Sequence, residues 1–173
     1  FQGNQLETGC DGSVGVVLAD GTAFSMAQGG KMVMDEMVYD RSTQESSIGI
    51  NAVQGVFTFV SGQIAKTDPD AMTLETPVAT IGIRGTQVGI VVGEGGQSNV
   101  ILMEEADGFV GEVVVSNKGG VQILNNALQG TSIINQTTGP AESFQVNEVQ
   151  LIGIFGGALG HLPANDNNNA NTY

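Results

Sequence analysis

The sequence predicts an all-β domain, a sandwich, barrel or solenoid of short Gly-rich strands with tight corners and a candidate short helix near its C-terminal end. Three observations carry that reading. About a dozen short apolar or alternating runs recur with turn residues every 8–12 positions, the pattern of many stacked short strands. Glycine is abundant, at 26 of 173 residues, while aromatics make up 5% and tryptophan is absent, so corners are tight and the core is not rich in rings. Helical patterning is confined to one stretch close to the end. No strict period runs through the chain, which argues against a regular β-helix.

Taken in order, the strand signals fall at residues 14–18, 23–26, 32–39, 48–53, 56–60, 72–74, 78–83, 88–92, 100–103, 113–115, 121–124 and 133–134. Each is bounded by Gly, Asn, Asp or Ser, which supply positive φ or local side-chain hydrogen bonds. Asp20 with Gly21 and Asp107 with Gly108 are the strongest tight-turn pairs. Gly15, Gly49, Gly82 and Gly89 interrupt strands and predict bulges, bends or close backbone approach. With few Lys and Pro to guard edges, pairing along an open edge is an expectation. The helix is expected over Glu148–Leu159, with Asn147 as N-cap and Glu148 in the first turn, against the cost of three interior glycines; a strand followed by a glycine-rich turn is the alternative over the same residues. Residues 164–173 form an Asn-rich polar tail without the means to bury itself. The expected organisation is a β-domain over 1–140 and a C-terminal segment with its tail over 141–173.

Charge narrows the function. Eighteen acidic residues against five Lys and Arg give a net charge of −13, which excludes nucleic-acid binding for want of a basic stripe. Docking to an anionic membrane surface is disfavoured for the same reason. No apolar run approaches the ~20 residues of a membrane span. The chain opens at Phe1 without an initiator Met, as a processed or shortened chain does. Cys10 is the sole cysteine and forms no intrachain disulfide.

Little in the sequence is suited to catalysis. Asp35 with Glu36, Asp68 with Asp70 and Glu104 with Glu105 are acidic pairs. Asp68 and Asp70, in a loop, are the best candidates for Ca²⁺, which takes six to eight oxygens, but solvated surface charge is the better reading. His161 is the only imidazole and lacks a nucleophile elbow. One Cys and one His cannot fill a zinc shell. GEGG and NKGG lack the Lys-Ser/Thr of a phosphate-binding loop. Asn135-Gln136-Thr137 is an isolated glycosylation-type triplet, a pattern too short to build on. The expectation is a protein without catalytic residues or cofactor.

The stretch 57–86 reads FTFVSGQIAKTDPDAMTLETPVATIGIRGT, and its end, ETPVATIGIRGT at 75–86, closely resembles the signature of the FecR-like domain. Residues 1–40 resemble the start of that domain, and the second half, with DGFVGEVVVSNKGGVQIL and IFGGALGHLP, looks like its continuation in exported proteins of Gram-negative bacteria. The resemblance implies an all-β domain, short, twisted and solenoid-like or sandwich-like, working outside the cytoplasm. In FecR it is periplasmic, follows a membrane span and relays a signal from an outer-membrane transporter to a sigma factor; elsewhere such domains serve as interaction or assembly modules. It brings no catalytic residues. Within the motif, Glu75, Thr76, Pro77, Ile81, Gly82, Ile83, Arg84, Gly85 and Thr86 are structural candidates. Pro77 belongs at a strand start or edge, Ile81 and Ile83 share a face, and Gly85 permits a bend. Arg84 is expected as a buried staple with Glu75 as candidate partner, because a guanidinium among apolar strands needs oxygens around it; the alternative is a ligand- or partner-binding role.

The leading expectation is a self-associating subunit of an extracellular filament or surface layer, joined by exchange of strands or terminal segments. Phe1, Leu6, Phe144, Leu151, Phe155 and Tyr173 are the assembly candidates. The alternative is a periplasmic signalling or binding module that contacts a receptor partner.

Overall fold

The structure, a computed structural model, describes residues 4–18, 21–39, 42, 46–62, 72–105 and 108–159. Asp68, Asp70, His161, Phe1 and Tyr173 lie outside them. The first strands are β1 (Asn4–Glu7), β2 (Val14–Val17), β3 (Ala23–Met26), β4 (Lys31–Tyr39) and the long β5 (Ser46–Val60). β6 (Met72–Glu75), β7 (Thr80–Arg84), β8 (Gln87–Val92) and β9 (Ser98–Met103) follow. β10 (Glu112–Asn117), β11 (Gly120–Leu124), β12 (Gln129–Ile133), β13 (Phe144–Gln145) and the helix α1 (Glu148–Leu159) complete the order.

The strands form a curled sheet with two wings that share β5. Residues 46–54 of β5 pair with β4, and residues 48–51 pair in parallel with β6, so the first wing runs β1-β4-β5-β6-β7-β10-β11. Residues 55–60 pair with β3 and β8, and the second wing runs β2-β3-β5-β8-β9-β12-β13. The two apolar runs that the sequence separates, 48–53 and 56–60, are thus one strand that changes wings at Gly55. There φ is +123°, and a Cβ would lie 2.6 Å from the Gly30 Cα, so both the conformation and the space require glycine. The register slips opposite this point, between Lys31 and Met32, and again between Met34 and Glu36 opposite Gly49. These bulges bend the first wing over the second.

One apolar core fills the space between the wings. Met32, Ile50, Leu74, Ile81, Ile83, Val113 and Val115 face it from the first wing, and Val88, Ile90, Val100 and Leu102 from the second. Strict alternation in β7, with Ile81 and Ile83 buried and Thr80 and Gly82 outward, follows from the two-residue period of a strand. Few as the aromatics are, Phe24, Phe57 and Phe59 gather here, with ring centroids 5.8 and 6.2 Å apart. Each fully buried ring contributes roughly 1.5–3 kcal/mol.

The outer face of the second wing carries a second core of Ile101, Met103, Val146 and Phe155, with Val56, Val91, Leu128 and Leu151 packed around it. The helix crosses β5 and β3 on this face. It starts as the sequence predicts: Gln150 N donates to Asn147 Oδ1 at 2.8 Å, and Asn147 N donates to Gln150 Oε1 at 3.0 Å. This reciprocal pair is a capping box, and Gln150 is its half that the sequence reading missed.

Candidate functional site

The signature residues 75–86 build two features, a hairpin turn and a corner. Thr76, Pro77, Val78 and Ala79 turn β6 into β7: Thr76 N donates to Ala79 O at 2.9 Å, and Ala79 N donates back to Thr76 Oγ1 at 3.1 Å. Pro77 is at the second turn position, where its fixed φ is already correct and its missing N–H costs nothing. The strand therefore begins at Thr80, two residues later than the run 78–83 suggests, because Val78 and Ala79 are spent on the turn.

Two side chains from the second half hold this turn. Asn117 Nδ2 lies 3.3 Å from Val78 O, 2.9 Å from Asn135 O and 2.7 Å from Thr138 O. Gln136 Nε2 donates to Pro77 O at 2.7 Å. Between the β6–β7 turn, the β10–β11 turn and Gln136 lies an open groove of about 270 Å³, with Glu75 and Lys118 among its lining residues. Its walls are mainly polar, and the described lining residues carry one charge of each sign. Its carbonyls, amides and ions suit recognition of a polar partner surface. The sequence could not place Asn117 or Gln136 here, since each lies decades of residues from the motif and neither has a spacing that marks it.

The corner follows at Gly85 and Thr86. Gly85 has φ +64°, the bend the sequence assigns it. It carries the chain from β7 in the first wing to β8 in the second. Thr86 fixes the crossing: its Oγ1 donates to Met103 O at 3.0 Å, and Ser61 Oγ donates to Thr86 O at 2.9 Å. Thr86 and Ser61 are fully buried, so each polar atom here is matched inside the fold.

Arg84 is placed differently from the sequence expectation. Its side chain is 40% exposed, and Nη1 meets Glu112 Oε1 at 2.7 Å across the β7–β10 pair. Glu75 sits opposite Thr80, four residues back along β7, and is exposed. The guanidinium is a cross-strand surface partner rather than a buried staple, because the alternation that buries Ile83 turns Arg84 outward.

Of the four described assembly candidates, three are committed within their own chain. Leu6, on β1, pairs with Met32 and packs against the main core. Leu151 and Phe155 form the second core, and Phe155 is fully buried. Phe144, 39% exposed, stands on the short edge strand β13. Cys10 is exposed in the turn before β2. Among the described residues, no three His, Cys, Asp or Glu gather as a metal set, and no helix is long and apolar enough to cross a membrane.

The family model described as FecR protein matches residues 4–106, which take in β1 to β9 and the whole 75–86 motif. Two crystal structures of a candidate anti-sigma factor from Parabacteroides distasonis share the architecture, each at 18% identity, with TM-scores of 0.60 and 0.57. The match covers 84% of this chain and 60% of theirs, so the chain spans about three-fifths of the length of that protein. No curated protein matches. These findings overturn the filament subunit, the secreted self-assembling protein and the homopolymer partner. The family matched is FecR protein, the structural neighbours are described as candidate anti-sigma factors, and Leu6, Leu151 and Phe155, expected to cross between copies, are spent on internal cores. With residues 4–106 matched across nine strands, and with the signature forming the hairpin and corner that join the two wings, the chain belongs to the FecR protein family.

Proposed function

We propose that this chain is a non-catalytic regulatory module acting on the periplasmic side of the envelope, where it contacts a receptor or a sigma-factor regulator and passes on that partner's state. The single observation that supports this reading is the FecR family match across residues 4–106. The architecture shared with a candidate anti-sigma factor is consistent with it. The groove beside the β6–β7 turn adds a local reason. It is lined by a motif turn whose backbone is held by Asn117 and Gln136, so its shape is set before a partner arrives. The division at residue 140 remains part of the proposal: β1 to β12 make the regulatory body, and the segment beyond it covers the second wing.

The test is transcriptional. The chain is expressed in the periplasm of its native host, and transcripts are measured across the genome against an Asn117→Ala, Gln136→Ala control. A confined set of genes that responds to the chain and not to the control is the expected result. An unchanged transcriptome with folded protein in the periplasm overturns the regulatory reading.

A further inference from the structure

Beside α1 the second wing is incompletely covered. Phe155 sits over Gly89, where a Cβ would lie 2.7 Å from its ring, and Leu151 packs one turn earlier. Toward β9 and β12 the helix leaves a cleft of about 270 Å³ walled by Met103, Ala127, Leu128, Leu151 and Ile152. Gln87, Glu104 and Glu148 complete the lining, and both carboxylates belong to exposed residues. Among the described residues the lining contains no Lys, Arg or His.

Three properties define what fits. The walls are mainly apolar, so the occupant brings apolar groups. The volume is below the ~300–1,000 Å³ usual for small-molecule sites, which suits one or two side chains of a larger partner. Among the described lining residues the formal charges are two carboxylates, on a chain of net charge −13, so the complementary occupant is cationic. The apolar surface continues outward: Val149 and Ile152 are 81% and 63% exposed and lie three residues apart, on neighbouring positions of one helix face.

We propose that this cleft is the docking site for an apolar–basic segment of the regulatory partner, with an aliphatic side chain seated on Met103 and Leu128 and an adjoining Arg or Lys held by Glu104 and Glu148. The segment then runs along Val149 and Ile152. This identification of the site rests on the regulatory reading above.

The experiment uses the full chain, isotopically labelled, and follows backbone amide shifts with two capped tetrapeptides, Leu-Leu-Arg-Arg and Leu-Leu-Glu-Glu, and with 1-hexanol. The expected result is that the arginine peptide shifts the amides of Met103, Leu128 and Ile152. The glutamate peptide should bind at least tenfold more weakly, and Glu104→Gln with Glu148→Gln should weaken the arginine peptide by about threefold to tenfold. Unchanged shifts elsewhere in the double variant show that it is folded. Equal binding of the two peptides, or shifts confined to other residues, overturns the proposal. So does hexanol moving the same amides while the arginine peptide does not, which would make the cleft a small-molecule site. A transcriptional response without peptide binding removes the docking site and leaves the regulatory reading in place.

Discussion

Arg84 and Gly89 show how single positions acquire their roles. Arg84 stands on the outward side of β7, and its 2.7 Å contact with Glu112 is about as exposed as the guanidinium itself. Exposed ion pairs contribute roughly 0–1 kcal/mol, since water screens them and both side chains lose freedom. Arg84→Lys is therefore expected to cost less than about 1 kcal/mol in a urea unfolding curve. A loss of several kcal/mol would restore the buried-staple reading. Gly89 is governed by space: the Met103 methyl and the Phe155 ring occupy the volume a side chain would need. Of the four strand glycines that the sequence singles out, Gly82 meets no close neighbour, whereas Gly89 is the seat of a ring.

At the scale of the element, α1 depends on its start and on one side chain. The Asn147 and Gln150 box satisfies amides at the first turn, and Phe155 anchors the helix on the sheet. Phe155→Ala removes a fully buried ring and is expected to cost about 3–5 kcal/mol. Because the two cores lie on opposite faces of the second wing, the loss should appear first as release of α1. Hydrogen exchange should rise over residues 148–159 and over β8 and β9, while β6, β7 and β10 keep their protection. Uniform loss of protection would mean that the two cores unfold as one unit. The motif elements behave otherwise. The β6–β7 hairpin is locked by Asn117 and Gln136 from the second half of the chain, so a turn readable locally becomes rigid only through distant partners.

For the whole molecule, a net charge of −13 on 173 residues is the dominant long-range term. Like charges repel more in the compact state than in the expanded chain. Raising salt from about 10 mM to about 500 mM shortens the screening length from roughly 30 Å to a few Å, and should raise the thermal midpoint by several degrees. A midpoint that falls with salt would indicate that specific ion pairs outweigh general repulsion. The same charge suits the basic segment proposed for the cleft beside α1.

The sequence by itself determined the class of structure and much of its punctuation. Period-two apolar runs bounded by Gly, Asn and Asp mark strands because the strand period is local, and Asn147 marks a helix start because a cap acts within one turn. The 75–86 motif is legible for the same reason: Pro77 and Gly85 act on their own backbone. Which strand meets which was decided only by the tertiary structure. β7 passes over β8 and β9 to pair with β10, which gives Arg84 its Glu112, and β5 serves both wings through Gly55. A period tells which face of a strand is buried but not what lies against it. The pinned turn, the ring over Gly89 and the cleft under α1 come from residues far apart in the chain, brought together by packing two wings around one core.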